Sequence, residues 1–104
     1  MVKINWTDQA LSDLNDIGDY IASDSPKYAA LTIERLFNST DILKHSPLTG
    51  RIVPEINKPD IRELIRLSNY RIVYRIVSKI RIDILTVHHT ARLIKNNPAL
   101  SQNK

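Results

Sequence analysis

Residues 61–89 read IRELIRLSNYRIVYRIVSKIRIDILTVHH, and apolar and polar side chains alternate along most of this stretch. Alternation with a period of two is typical of β-strands that bury one face. Short polar breaks at Ser68-Asn69 and Ser78-Lys79 divide the stretch into three runs, 61–67, 70–77 and 80–88. Because two-residue connections join antiparallel neighbours, the pattern predicts a three-stranded meander.

The residues before this meander predict one more strand and two helices. Residues 3–6 are β-prone, and Thr7 followed by Asp8 is a helix-start signal, since the helix dipole favours negative charge in the first turn. Apolar residues then recur at helical spacing over 7–23: Ala10, Leu14, Ile17 and Ile21, with Leu11 and Tyr20 widening the stripe. Ser25-Pro26 restarts the pattern as a cap and first turn, and a second helix is expected to run to about Lys44.

The predicted order is β-α-α-β-β-β, an α+β fold in which an N-terminal helical hairpin packs on one face of a small antiparallel sheet. Residues 45–59 interrupt the periodicity with prolines and a glycine and predict a long loop. Within it, we expect Gly50 and Arg51 to structure the loop rather than to bind a ligand. A single domain is expected over 1–95, followed by a polar, flexible tail over 96–104.

Composition excludes several classes of function. The chain has no cysteine, which removes disulfides and thiolate metal or redox sites, and no apolar run approaches the length of a membrane span. No signal peptide is recognisable at the N-terminus, so a cytoplasmic location is expected, with no membrane partner. We expect no cofactor and no metal.

Charge is distributed unevenly. Residues 7–25 contain five aspartates and no lysine or arginine, a charge of −5 that leaves +9 for the rest of a chain whose net charge is +4. Between 60 and 95 there are eight basic and three acidic residues. This concentration favours a polyanionic or acidic partner, and a solvated sheet face is the plain alternative.

The alternation also predicts which side chains share a face of the sheet. One face would pack against the helices and the other would carry a basic surface centred on Arg62, Arg71 and Arg75, with His89 and Arg92 at its end. The residues expected to bind a target or a nucleic acid are Arg62, Arg66, Arg71, Arg75 and Arg81. If Ile80, Ile82 and Ile84 face the core, His88 falls on the core side and His89 on the basic side with Arg71 and Arg75. His89 is therefore expected to be the more accessible of the two histidines.

Several short strings occur in a fixed order along the chain: Trp6-Thr7 with Ala10 and Asp13-Leu14, Asp19-Tyr20-Ile21-Ala22 before Ser25-Pro26, Pro47 with Gly50-Arg51, Arg62-Glu63-Leu64, the run from Tyr70 to Ile76, and Ile84-Leu85 before Val87-His88-His89 and Arg92. Over residues 6–93 these strings resemble the RelE/ParE superfamily of bacterial toxins, of the ParE-like, plasmid stabilisation type. The resemblance implies a growth-inhibiting toxin of a type II toxin–antitoxin system, held in a hetero-oligomer by a cognate antitoxin.

That superfamily divides by target. RelE-like members cut mRNA on the ribosome as endoribonucleases, whereas ParE-like members inhibit DNA gyrase. If the chain is a nuclease, the resemblance implies Arg71, His89 and Arg92 as catalytic residues, with Arg71 at the phosphate-binding position. One of the two strand lysines of that site corresponds to Arg62 and the other to Leu64, and the C-terminal tyrosine has no counterpart beyond Tyr74.

These departures, with the two long helices, favour ParE-like inhibition of gyrase, and an enzyme is the less favoured reading. The ribosome-dependent endoribonuclease is kept as the alternative, and a catalytically inert, antitoxin-binding remnant as a second one.

Overall fold

In a computed structural model, residues 1–90 of the 104-residue chain are described. Strand β1 (Lys3–Trp6) leads into helices α1 (Asp8–Ala22) and α2 (Pro26–Asn38), and two 3-10 helices follow (Ser39–Lys44 and Pro47–Thr49). The remaining strands are β2 (Arg51–Ile52), β3 (Ile61–Arg66), β4 (Tyr70–Ser78) and β5 (Arg81–His89). The predicted α+β order is confirmed, with β2 added inside the predicted loop. The predicted domain limit at residue 95 and the tail after it lie outside the described residues.

The sheet has the order β1-β5-β4-β3-β2, and β1 runs parallel to β5 while the other neighbours are antiparallel. It is therefore mixed, where an antiparallel sheet was expected. The helical hairpin and the meander separate β1 from β5, so no tight turn sets the direction of their pairing.

Both helices begin at the predicted residues. The Thr7 hydroxyl accepts the Ala10 amide at 3.2 Å, and the Ser25 hydroxyl accepts the Tyr28 amide at 3.2 Å. The helices pack closely at Gly18, where an added Cβ would come within 2.3 Å of the Ile33 Cδ1 atom. The second helix keeps α-helical geometry only to Asn38, and the 3-10 turns then carry the chain to Lys44.

Two hydrophobic clusters lie on opposite faces of the sheet. The main core lies under the helices and consists of Ala10, Leu14, Leu36, Leu43, Leu64, Ile72, Tyr74, Ile82, Ile84 and Val87. On the far face, Val53 of the β2–β3 loop packs against Ile61 and Val73, with Ile56 and Leu85 beside them. The loop thus covers much of the face that was expected to carry charge.

Three apolar residues expected in the core are exposed, and these predictions were wrong. Leu11 and Tyr20 of α1 are 45% and 83% exposed, because the narrower stripe through Ala10 and Leu14 already fills the contact with the sheet. Ile80 is 72% exposed because it lies in the β4–β5 turn, one residue before β5 begins.

Candidate functional site

The five arginines expected to bind a target are divided between the two faces of the sheet. The β3–β4 register places Arg62 opposite Tyr74 and Arg66 opposite Tyr70, whereas Arg71 lies opposite Ile65 and Arg75 opposite Ile61. Directly paired residues point to the same side, so Arg62 and Arg66 emerge on the side of Tyr70 and Tyr74. The expectation of a single basic face was therefore wrong. Alternation along one strand does not fix the register of its neighbour.

Arg71 lies at the centre of a buried ionic network on the far face. Its Nε atom donates to Glu63 Oε1 at 2.8 Å, and Nη2 contacts the same oxygen. Its Nη1 and Nη2 atoms also donate to the two oxygens of Glu55, at 2.9 and 3.1 Å. Arg51 Nε completes the network by donating to Glu63 Oε2 at 2.6 Å. Two guanidinium groups and two carboxylates therefore balance one another.

Burial makes this network a fixed part of the fold. The side chain of Glu63 is fully buried and that of Arg71 is 9% exposed, while Glu55 is 41% exposed. The hydrogen bond from Arg71 lowers the pKa of Glu55, and the hydrogen bonds to Glu55 and Glu63 raise the pKa of Arg71 above its usual value. Arg71 thus stays charged, and its donors are directed at the protein's own carboxylates.

A second set of hydrogen bonds holds the loop before β2. The Tyr74 hydroxyl donates to the Pro47 carbonyl at 2.6 Å and accepts the Gly50 amide at 2.9 Å. Arg62 Nη1 donates to the Gly50 carbonyl and Nε to the Pro59 carbonyl, both at 3.0 Å. At Gly50 a Cβ would lie 2.6 Å from the Glu63 carbonyl oxygen, which explains the glycine. Arg62 is thus engaged by carbonyl groups of the loop, whereas Arg51 pairs with Glu63 of β3.

Three of the predicted arginines remain closer to solvent. Arg75 pairs with Asp60 at 3.3 Å, with 55% of its side chain exposed. Arg81 pairs with Asp83 at 2.8 Å, and this contact lowers the pKa of Asp83. Within residues 1–90, Arg66 makes no ion pair and donates only to a carbonyl of its own strand.

The two histidines lie on the opposite faces of the sheet from those predicted, because β5 contains a bulge. Val73 pairs with Thr86 but Tyr74 pairs with Ile84, so Leu85 is an extra residue that reverses the alternation. His88 therefore lies opposite Arg71, and His89 lies opposite Tyr70 with its ring 5.8 Å away, edge-on. The expectation that His89 shares a face with Arg71 was therefore wrong. His89 is nevertheless the more accessible of the two histidines, as expected, because it is exposed whereas His88 is only 2% exposed.

Asp13 of α1 holds the strand at this bulge. Its Oδ2 atom accepts the Val87 amide at 3.1 Å and also the Thr86 hydroxyl, and Gln9 donates to its other oxygen at 2.8 Å. In the sequence Asp13 is one of the five aspartates of the stretch 7–25. Its partner on β5 is 74 residues away, and no local signal in the sequence links the two.

A cleft of about 520 Å³ opens between α1 and the ends of β4 and β5. In the described part of the chain it is lined by Asp13, Asp16, Ile17, Tyr20, Tyr70, Val87, His88 and His89. No arginine of residues 1–90 lines it, so Arg71 and His89 do not share a cavity there. The expected third member of the nuclease set, Arg92, lies outside the described residues.

Leu64, at the position of a catalytic lysine in the resemblance, is 3% exposed and belongs to the main core. Among residues 1–90 no group of histidines and carboxylates is arranged to hold a metal ion. None of the helices described is both long enough and apolar enough to span a membrane.

Comparison with known proteins agrees with this architecture. Residues 4–94 match the profile of a family described as the ParE toxin of the type II toxin–antitoxin system parDE. A relative named toxin RelE2, from Caulobacter vibrioides, is 34% identical over 93 residues, which are 89% of this chain and all of the relative.

Two solved structures share the fold. A chain of the chromosomal ParDE toxin–antitoxin system from P. aeruginosa superposes with a TM-score of 0.71 at 24% identity, over 86% of this chain and 96% of that one. A chain of the toxin–antitoxin complex RelBE2 from Mycobacterium tuberculosis gives a TM-score of 0.55 at 23% identity, over 85% and 96%.

Proposed function

The chain belongs to the ParE toxin family of type II toxin–antitoxin systems, and we propose that it arrests growth by inhibiting DNA gyrase rather than by cutting RNA. The observation that supports gyrase as the target is that Arg71 is buried and paired with two carboxylates. A nuclease of the RelE type needs a cation that can reach the scissile phosphate. Here the guanidinium of Arg71 is 9% exposed and donates to Glu63 and Glu55.

The surroundings of Arg71 support the same proposal. The position where RelE-like enzymes carry a second lysine is Leu64, a core residue, and a charge there would be buried beneath the helices. His89, which could act as an acid or base, lines the cleft beside α1 together with Tyr70 and not with Arg71. Cleavage would require these groups to converge on one phosphate.

In this proposal the toxin acts through its surface. Arg66, Arg75 and Arg81 keep their charges near solvent and are the side chains proposed to contact gyrase or its DNA. Arg62 and Arg71 instead hold the loop and the ionic network in shape. We further propose a cytoplasmic protein neutralised by a cognate antitoxin, as the toxin–antitoxin complexes among its structural neighbours suggest.

The competing candidate is ribosome-dependent mRNA cleavage. It is favoured by the relative named toxin RelE2 and by the cross-strand pair of Arg71 and His88. That pair would become available to RNA only if Glu55 left Arg71.

Both candidates are tested with the purified chain in two assays. The gyrase proposal expects loss of plasmid supercoiling by gyrase and intact mRNA in a translation extract. Replacing Arg66 and Arg75 by alanine should weaken the inhibition, whereas Lys27→Ala on the exposed side of α2 should not. Cleaved mRNA with unaffected supercoiling would replace the proposal by the nuclease, and no growth arrest on induction would indicate an inert remnant.

A further inference from the structure

Three of the four tyrosines meet at one end of the molecule. Tyr20 lies near the end of α1, Tyr28 in the first turn of α2, and Tyr70 at the start of β4. Tyr20 and Tyr28 flank the three-residue connection between the two helices, and Tyr20 lines the same cleft as Tyr70. Burial raises the pKa of Tyr70, and the phenol groups of Tyr28 and Tyr20 add to this effect. We call these residues the tyrosine cluster.

The tyrosine cluster is a surface feature rather than part of the core. Tyr20 is 83% exposed and Tyr28 is 58% exposed. Tyr70 contacts the edge of the main core and lines the cleft beside α1. Tyrosine is enriched among the residues that dominate binding energy at protein interfaces.

The charge around the cluster indicates what kind of partner fits. Asp16 lines the same cleft and is exposed, and Asp19, which is also exposed, is the residue before Tyr20. Both lie in the stretch 7–25, which carries −5 in a chain that is otherwise +9. Such a surface repels phosphates and attracts cations, so it suits a partner different from one that binds exposed arginines.

We propose that the tyrosine cluster and the cleft beside α1 form a binding site for a basic segment of a partner protein, whose Arg or Lys side chains stack on the phenol rings and pair with Asp16. Tyrosine faces attract guanidinium and ammonium groups, and a concave site strengthens this attraction by excluding water. The floor of Ile17 and Val87 would hold an apolar residue between two cations. The site does not depend on whether the toxin acts on gyrase or on mRNA.

The test measures fluorescence anisotropy of a labelled octapeptide of alternating arginine and leucine with the full-length chain. We expect the peptide to bind and its glutamate counterpart not to bind. Replacing Tyr20 and Tyr28 together by alanine should weaken binding about tenfold, and replacing both by phenylalanine should leave binding within about twofold, because the rings remain. Asp16→Asn should weaken binding about threefold at low salt and less at high salt.

Two exposed residues elsewhere serve as matched controls. Leu48→Ala and Asp41→Asn remove an apolar and an acidic side chain from the 3-10 helices, and neither should change the affinity. Tyr20, Tyr28 and Asp16 are all exposed, so circular dichroism should show each variant folded.

Several results would overturn the proposal. The proposal is wrong if the double alanine variant binds like the wild type, or if the glutamate peptide binds equally well. Sedimentation that shows a dimer in the wild type but not in the double alanine variant would assign the cluster to a second copy of the chain. Peptide binding only after Arg92 and Lys95 are replaced by glutamine would assign it to the chain's own C-terminal residues.

Discussion

Arg71 on β4 holds Glu55 of the β2–β3 loop through two parallel hydrogen bonds, of 2.9 and 3.1 Å. This arrangement fixes both the position and the orientation of the carboxylate. Because Val53 and Ile56 of the same loop pack on Val73, the ion pair and the small apolar cluster fasten the loop together across the far face of the sheet. Arg71, which the resemblance places at a phosphate-binding position, thus helps to hold the loop over this face of the sheet.

Removing the guanidinium of Arg71 should destabilise the fold strongly. In Arg71→Met the fully buried Glu63 would keep only Arg51, and breaking a buried pair typically costs about 3–5 kcal/mol. Urea denaturation should show a loss near the lower end of that range, since Arg51 remains. The double variant Arg71→Met with Glu63→Leu should recover most of the loss, because no buried charge is left. A single variant as stable as the wild type would contradict the network's role.

The contribution of Glu55 should disappear in acid. The hydrogen bond from Arg71 lowers its pKa below the usual 4.5. A carboxyl with a lowered folded-state pKa stabilises the protein fully above its unfolded pKa, and this stabilisation is lost as the pH falls through the folded value. The difference in unfolding free energy between wild type and Glu55→Gln should therefore be present at neutral pH and shrink as the pH falls below 4.5.

This titration is followed by urea unfolding at a series of pH values. Glu34→Gln, an exposed acid of α2 far from Arg71, controls for the loss of one carboxyl from the chain. A difference for Glu55→Gln that grows in acid would have the wrong sign and would exclude the ion pair as its source.

Asp13 should protect the backbone at the β5 bulge from hydrogen exchange. In Asp13→Ala the Val87 amide and the Thr86 hydroxyl lose an acceptor, and an unsatisfied buried group costs about 1–3 kcal/mol. Hydrogen exchange should accelerate at the Val87 amide, and the urea midpoint should fall. Asp16→Ala, one turn further along α1 and exposed, makes the same change in helix composition without this contact. Equal exchange in the two variants would refute the assignment.

The sequence predicted well those parts of the fold that depend on local patterns. Thr7 and Ser25 cap their helices as expected, because a cap involves residues only three apart. The meander was found from alternation and short breaks. The faces on which the site residues lie depend on strand register and on a bulge, which local patterns do not determine. No glycine or proline marks the bulge at Leu85, yet that one residue exchanges the faces of His88 and His89.

The contacts that hold the loop before and after β2 also could not be predicted from local patterns. Glu55 and Arg71 are separated by 16 residues, and either could have paired with other charges, so the burial of Arg71 follows only from the assembled sheet. The hydroxyl of Tyr74 organises the loop around Gly50, a role that the resemblance did not imply for this residue. Its burial within an alternating strand was a usable signal, because a buried phenol usually finds a hydrogen-bond partner.

Tyr74→Phe should loosen the loop while leaving the core intact. The ring stays in the main core, but the Gly50 amide loses its acceptor and the Pro47 carbonyl its donor, a cost of about 1–3 kcal/mol. Proteolysis should become faster within 45–59, and the urea midpoint should fall. Tyr28→Phe, at an exposed ring, is the matched control and should change neither.

Gly50→Ala tests the same contact from the other side. Its Cβ would lie 2.6 Å from the Glu63 carbonyl oxygen and 2.7 Å from the Tyr74 ring, so either the loop or β3 must move. We expect a loss at least as large as that of Tyr74→Phe, and the two losses should not add, since each opens the same loop. Fully additive losses would mean that Gly50 and Tyr74 act independently, and the loop would then be held mainly by Glu55 and Arg62.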